Sequence, residues 1–245
     1  MMPLRSPVAR LGLGLACLLA GLGARAQRVD VEATLRGLLV TDDRAAWAAA
    51  ERALVYAPVE AFTPEAVRLL GEALTRREVA YFPDLIRVAG AVGDAGTLAG
   101  VPEEALADEL TRQEVMYARV RQGDEALARE LVARIRRVPL DDRYVTRLLP
   151  DLIYTRARPV FDHLYGLMMR PTPTCRSPNP NVDRHIDCGY ALAAGLGHGT
   201  AAFPVVVDPD EWVLEVDDYP AALALVREWY GAHADTYVID RTAIY

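Results

Sequence analysis

Residues 74–81 read LTRREVAY, and residues 110–117 read LTRQEVMY. Both start on Leu-Thr-Arg, carry Glu-Val at the same offset and end on a tyrosine, Tyr81 or Tyr117. A looser third copy, Tyr154-Thr155-Arg156-Ala157-Arg158 with Phe161, lies further along the chain. The threonines at 75, 111 and 155 stand 36 and 44 residues apart. That is the period of paired-helix units, which cannot bury their apolar faces alone and must stack.

The sequence around these copies has helical spacing. Ala66, Val67, Leu70, Ala73 and Leu74 fall on one face of a helix. Leu127, Leu131, Val132, Ile135 and Val138 repeat the pattern, as do Val145, Leu148, Leu149, Leu152 and Ile153. Ala222, Leu225, Val226, Trp229 and Tyr230 form a last stripe. Separations of three and four put such residues on one side, to be buried against neighbours. Start signals agree. Thr63-Pro64-Glu65 supplies a cap residue, a first-turn proline and an early acid. Thr41-Asp42-Asp43 and Asp141-Asp142 can cap the helices next in the chain, and Pro102 and Pro220 read as first-turn prolines. The aspartate pairs could instead be catalytic carboxylates or metal ligands, but capping is the commoner use at a helix start.

Beyond residue 170 the pattern breaks. Residues 171–181 are rich in Pro and Asn and read as a loop. A short helix is expected over 187–195, and a short β-hairpin near 204–217, where two β-rich runs flank Asp208-Pro209-Asp210-Glu211. The expected fold class is therefore all-α or mainly α, with stacked antiparallel helix pairs in an α-solenoid-like array. An irregular helical bundle with a chance echo is the competing reading.

Over residues 41–170 the chain resembles α-helical repeat proteins of the HEAT and armadillo type. The resemblance rests on the short Leu-Thr-Arg echo and its period. It implies a curved surface that holds a protein partner, and it carries over no functional residues, because such families share no active site.

The N-terminus has the three parts of a cleavable signal peptide over residues 1–26. Arg5 and Arg10 are basic, residues 11–23 are an apolar run, and Ala24-Arg25-Ala26 precedes a cut before Gln27. The run falls short of the ~20 apolar residues a membrane span needs. The expectation is a periplasmic or secreted chain with one domain over 27–245 and no membrane insertion after cleavage. Acylation of Cys17, giving a lipid-anchored envelope assembly factor, is an alternative. Removing three arginines moves the net charge from −7 to −10. So acidic a chain is a poor fit to nucleic acid, whose phosphates call for clustered cations.

Absences exclude several chemistries. There is no lysine, so all 27 basic residues are arginine. A phosphate-loop lysine, a Schiff-base lysine and a Ser-Lys dyad are ruled out. Ser177 is the only serine after residue 26, and it is not in a nucleophile elbow. Cys175 and Cys188, flanking the Pro/Asn loop, are expected to form a disulfide in an oxidising compartment. The sharper alternative is a zinc site of Cys175, His185, Cys188 and His198, a set of tetrahedral S and N donors. Two further alternatives are a Cys188 nucleophile with His185 as base, and an acid/base group of Asp183, His185 and Asp187. His163, beside an apolar stripe, and Trp47, Trp212 and Trp229 read as packing residues. The leading expectation is a non-enzymatic binding or scaffold protein without a cofactor. A secreted enzyme built on residues 175–198 is the runner-up.

Overall fold

The stripe at 66–74 forms a helix for the reason its sequence gives. Thr63 caps it, its hydroxyl accepting from the Ala66 N–H at 3.1 Å, and Pro64 opens the first turn. In the computed structural model, residues 29–176, 185–208 and 211–244 are described, with Arg77 as backbone alone. The signal-peptide segment with Cys17, the cut before Gln27, Ser177 and Asp183 lie outside the described residues.

The fold is mainly α. The helices are α1 (Val31–Leu39), α2 (Arg44–Val55), α3 (Pro64–Leu74), α4 (Asp84–Val92), α5 (Ala95–Leu98) and α6 (Glu103–Leu106). Next come α7 (Glu109–Arg121), α8 (Glu125–Ile135), α9 (Leu149–Tyr154), α10 (Arg158–Met168), α11 (Gly189–His198) and α12 (Tyr219–His233). Side chains of Asp30, Asp43, Asp94, Asp108, Asp124 and Asp218 each accept from a first-turn N–H. Asp141 accepts from the Tyr144 N–H at 2.9 Å. The sequence's aspartate-led starts are thus caps, each satisfying a donor the helix leaves open.

Neighbours in sequence are neighbours in space. Helix α1 packs on α2 and α3, α3 on α4, α4 on α7, α7 on α8, α8 on α10, and α11 on α9, α10 and α12. The buried apolar residues form two clusters in series. One runs from Val31 to Ala118 and takes in Ile244; the other runs from Tyr117 to Tyr237. They meet where α4 crosses α7. There a Cβ at Gly90 would collide with the Tyr154 hydroxyl and lie 2.6 Å from Ala118 Cβ. The C-terminal segment returns to the same junction. The buried Arg121 guanidinium donates to the carbonyls of Ile244 at 3.0 Å, Tyr154 at 2.7 Å and Ala243.

The echo that suggested a repeat falls on unlike local structure. LTRREVAY straddles the end of α3 and a 3-10 turn at Arg77–Tyr81, whereas LTRQEVMY lies inside α7. Thr75 and Thr155 do share a role. Each hydroxyl donates to a carbonyl three residues back, at 2.8 and 2.6 Å, closing α3 and α9.

Near 204–217 the two expected runs meet in an antiparallel bridge between Val207 and Leu214. Asp208 N–H donates to the Val213 carbonyl at 2.9 Å, and Glu215 N–H to that of Val206 at 3.0 Å. A two-stranded antiparallel sheet also forms further upstream, from β1 (Thr174–Arg176) and β2 (His185–Asp187), with Cys175 opposite Ile186. It replaces part of the expected loop. Its strands are too short and too polar to show in an alternation pattern.

Candidate functional site

Cys175 and Cys188 are joined in a disulfide, and both are buried. Their sulfurs are therefore not thiolate ligands, and Cys188 is not a nucleophile. His185 is exposed on β2. His198 ends α11 elsewhere, its ring stacked on Trp212 at 4.3 Å between centroids. The structure does not bring the four candidate zinc ligands together. Among the described residues no three His, Cys, Asp or Glu side chains are grouped to hold a metal ion. Asp187 also has a local job. Its carboxylate accepts from the Gly189 N–H at 2.7 Å and from the Thr172 hydroxyl, fixing the start of α11. His185 lies on β2 and Cys188 just before α11, so the two share no helical face.

A groove of about 470 Å³ lies in a different region, between α8 and α10, lined by Arg129, Val132, Ala133, Arg136, Pro159, Asp162 and His163. The spacing that buries Ala128, Leu131, Val132 and Ile135 in the core turns Arg129, Ala133 and Arg136 outward in a line. On α10, Pro159 sits in the first turn, and Asp162 and His163 stand one turn on. The volume lies within the usual range for small-ligand sites, ~300–1,000 Å³.

The groove is electropositive in an acidic chain. Arg129 pairs with Glu125 at 3.2 Å. Arg136 and Arg170 have no acidic partner among the described residues. His163 Nε2 is buried without a hydrogen-bond partner. Burial holds the His163 pKa below its ordinary value, and Arg136 and Arg170 add to the depression. An anionic group in the groove would meet Arg136 and His163 directly. Asp162 does not cancel this field, since its Oδ1 already accepts from Arg158 Nε at 2.9 Å and the Tyr237 hydroxyl at 2.7 Å. The ionisable side chains of the lining are Arg129, Arg136, Asp162 and His163.

A third polar assembly is structural. Arg87 on α4 binds Glu114 on α7 at 2.5 and 2.6 Å and Asp151 on α9 at 2.5 Å. Burial raises the pKa of both carboxylates. Tyr154 donates its hydroxyl to the Arg87 carbonyl at 2.7 Å. This network crosses the junction of the two apolar clusters.

Sequence reasoning found His163 and its apolar neighbours but missed Arg136 and Arg170. No motif links them: the packing of α8 on α10 brings Arg136 to the groove that His163 lines, and Arg170 follows the end of α10. Comparison with known proteins adds no analogue: no protein family, no curated protein and no solved structure matches this chain.

Proposed function

We propose that this is an exported, non-enzymatic binding protein whose α8–α10 groove holds an acidic segment of a protein partner. The observation that carries the reading is a groove with apolar walls lined by Arg136 and His163, whose Nε2 is buried without a hydrogen-bond partner among the described residues, with Arg170 acting on His163 through space from beyond the lining. Guanidinium groups recognise carboxylates through charge-assisted hydrogen bonds, and the flanking Val132, Ala133 and Pro159 can take the stem of a glutamate. The stacked helices support the HEAT-like reading, in which a helical surface holds a partner. The disulfide, together with the signal-like N-terminus, supports a periplasmic or secreted location. Among the described residues no helix is long and apolar enough to cross a membrane.

Fluorescence anisotropy with labelled peptides tests the reading. Glutamate- and aspartate-rich peptides are expected to bind with an affinity that falls as salt rises, and lysine-rich peptides are not. The double variant Arg136→Gln/Arg170→Gln is expected to weaken binding by tenfold or more. Equal binding of acidic and basic peptides, or an unaffected double variant, would overturn it. Intact-mass measurement of the exported chain tests the address, with Gln27 expected as its first residue.

A further inference from the structure

The structure also holds a cation with no counter-charge in contact with it among the described residues. Arg156 is 1 % exposed and has a left-handed backbone, φ +46°. Its Nε and Nη1 have no acceptor among the described residues, and its Nη2 lies 3.3 Å from His198 Nδ1. The backbone of Gly199 comes so close that a Cβ there would overlap Nη1 and stand 2.6 Å from Phe161 Cζ. The ring of Trp212 covers His198, and Trp212 is itself left-handed, φ +54°. The third non-glycine residue with positive φ, Ala202, lies three residues beyond Gly199. Positive φ at such residues is strained and gathers where a binding or functional constraint overrides it.

The electrostatics around Arg156 are one-sided. Arg121, also buried, donates to the carbonyls of Tyr154, Ile244 and Ala243 and is itself a second cation close to Arg156. Arg241 Nη2 donates to the Arg156 carbonyl at 3.0 Å, adding a further positive group. Asp240 is the acid within electrostatic reach. It acts on Arg156 through space while its Oδ1 accepts from the Thr242 N–H and hydroxyl, each at 2.8 Å. Burial, with Arg121 adding to it, pulls the Arg156 pKa down to about 9, so the group stays protonated at neutral pH. A trapped water would satisfy the open donors but leave the charge uncompensated, and a buried charge without a partner is strongly destabilising.

We propose that Arg156, with His198 and the Gly199 backbone beside it under Trp212, encloses a small monovalent anion of halide or formate size. The anion accepts from Nε or Nη1 and supplies the missing negative charge. This site is separate from the α8–α10 groove and does not depend on it.

Thermal unfolding of the full exported chain tests this. Chloride replaces isethionate, an anion too large to enter, at constant sodium and ionic strength, with formate in a parallel series. The melting temperature is expected to rise by a few degrees and saturate, as mass action requires when an anion binds only the folded state. Arg156→Met is expected to abolish the dependence. A response to chloride identifies a halide site, and a response to formate alone a carboxylate site; both support the proposal. If Arg156→Met does not fold, ³⁵Cl line broadening on the wild type, competed by formate, decides. Wild-type melting indifferent to both anions without such broadening, or an anion response retained in Arg156→Met, would overturn it.

Discussion

His163 carries the most specific consequence. Its folded pKa lies below the unfolded value of about 6.5, first because it is buried and then because of Arg136 and Arg170. In the window from about 6.5 down to the folded pKa, the unfolded chain binds more protons than the folded one. The stability that His163 contributes is therefore complete above that window and is lost as pH falls through it. A bound carboxylate reverses the bias, because it favours the imidazolium. Acidic peptides should then bind more tightly as pH drops from 7.5 to 6.0, by several-fold, with proton uptake. His163→Asn should flatten that profile and keep the arginine-dependent part of the affinity; anisotropy at three pH values measures both. A flat wild-type profile would remove His163 from the site. Sequence reading placed this residue beside an apolar stripe, which is right. Periodicity reports a face, however, and not which side chains from another helix lie across from it.

At the scale of elements, the helices with apolar stripes were legible and α7 was not. Its buried face is Thr111, Glu114, Tyr117, Ala118, Val120 and Arg121. Half of those are polar, so no hydrophobic period marks it. Only the Arg87 network makes such a face buryable. Arg87→Met should cost about 3–5 kcal/mol, since it strands Glu114 and Asp151 without their cation. Denaturant titration checks this, and a loss below about 1 kcal/mol would mean the network is solvated. The α4–α7 crossing offers a second check. In an exposed helix Gly→Ala gains up to about 1 kcal/mol. At Gly90 the added Cβ meets Ala118 and Tyr154, so Gly90→Ala should instead destabilise by about 1–3 kcal/mol. The small β1–β2 sheet was illegible because three-residue strands carry no period. The disulfide that ties it down was legible from two cysteines alone. Reducing it should lower stability by ~3 kcal/mol in the chain-entropy picture, for a separation of 13 residues. Calorimetry with and without reductant measures the loss.

For the whole molecule, the echo at residues 75, 111 and 155 pointed to stacked helix pairs, and the chain is mainly helical with neighbour-on-neighbour packing. What the echo could not show is the path of the C-terminus. Arg121 and Arg241 hold the last residues against the junction of both clusters, through carbonyls that any sequence would supply. Backbone acceptors leave no mark in composition, so this closure had no sequence signal. The α8–α10 groove is lined by other residues. Amide chemical-shift mapping of the ¹⁵N-labelled chain with a glutamate-rich peptide reads that groove directly. The largest shifts should fall on Arg129, Val132, Ala133, Arg136 and His163, weakening with salt. Shifts confined to other helices, or none at peptide concentrations that saturate anisotropy, would contradict binding there.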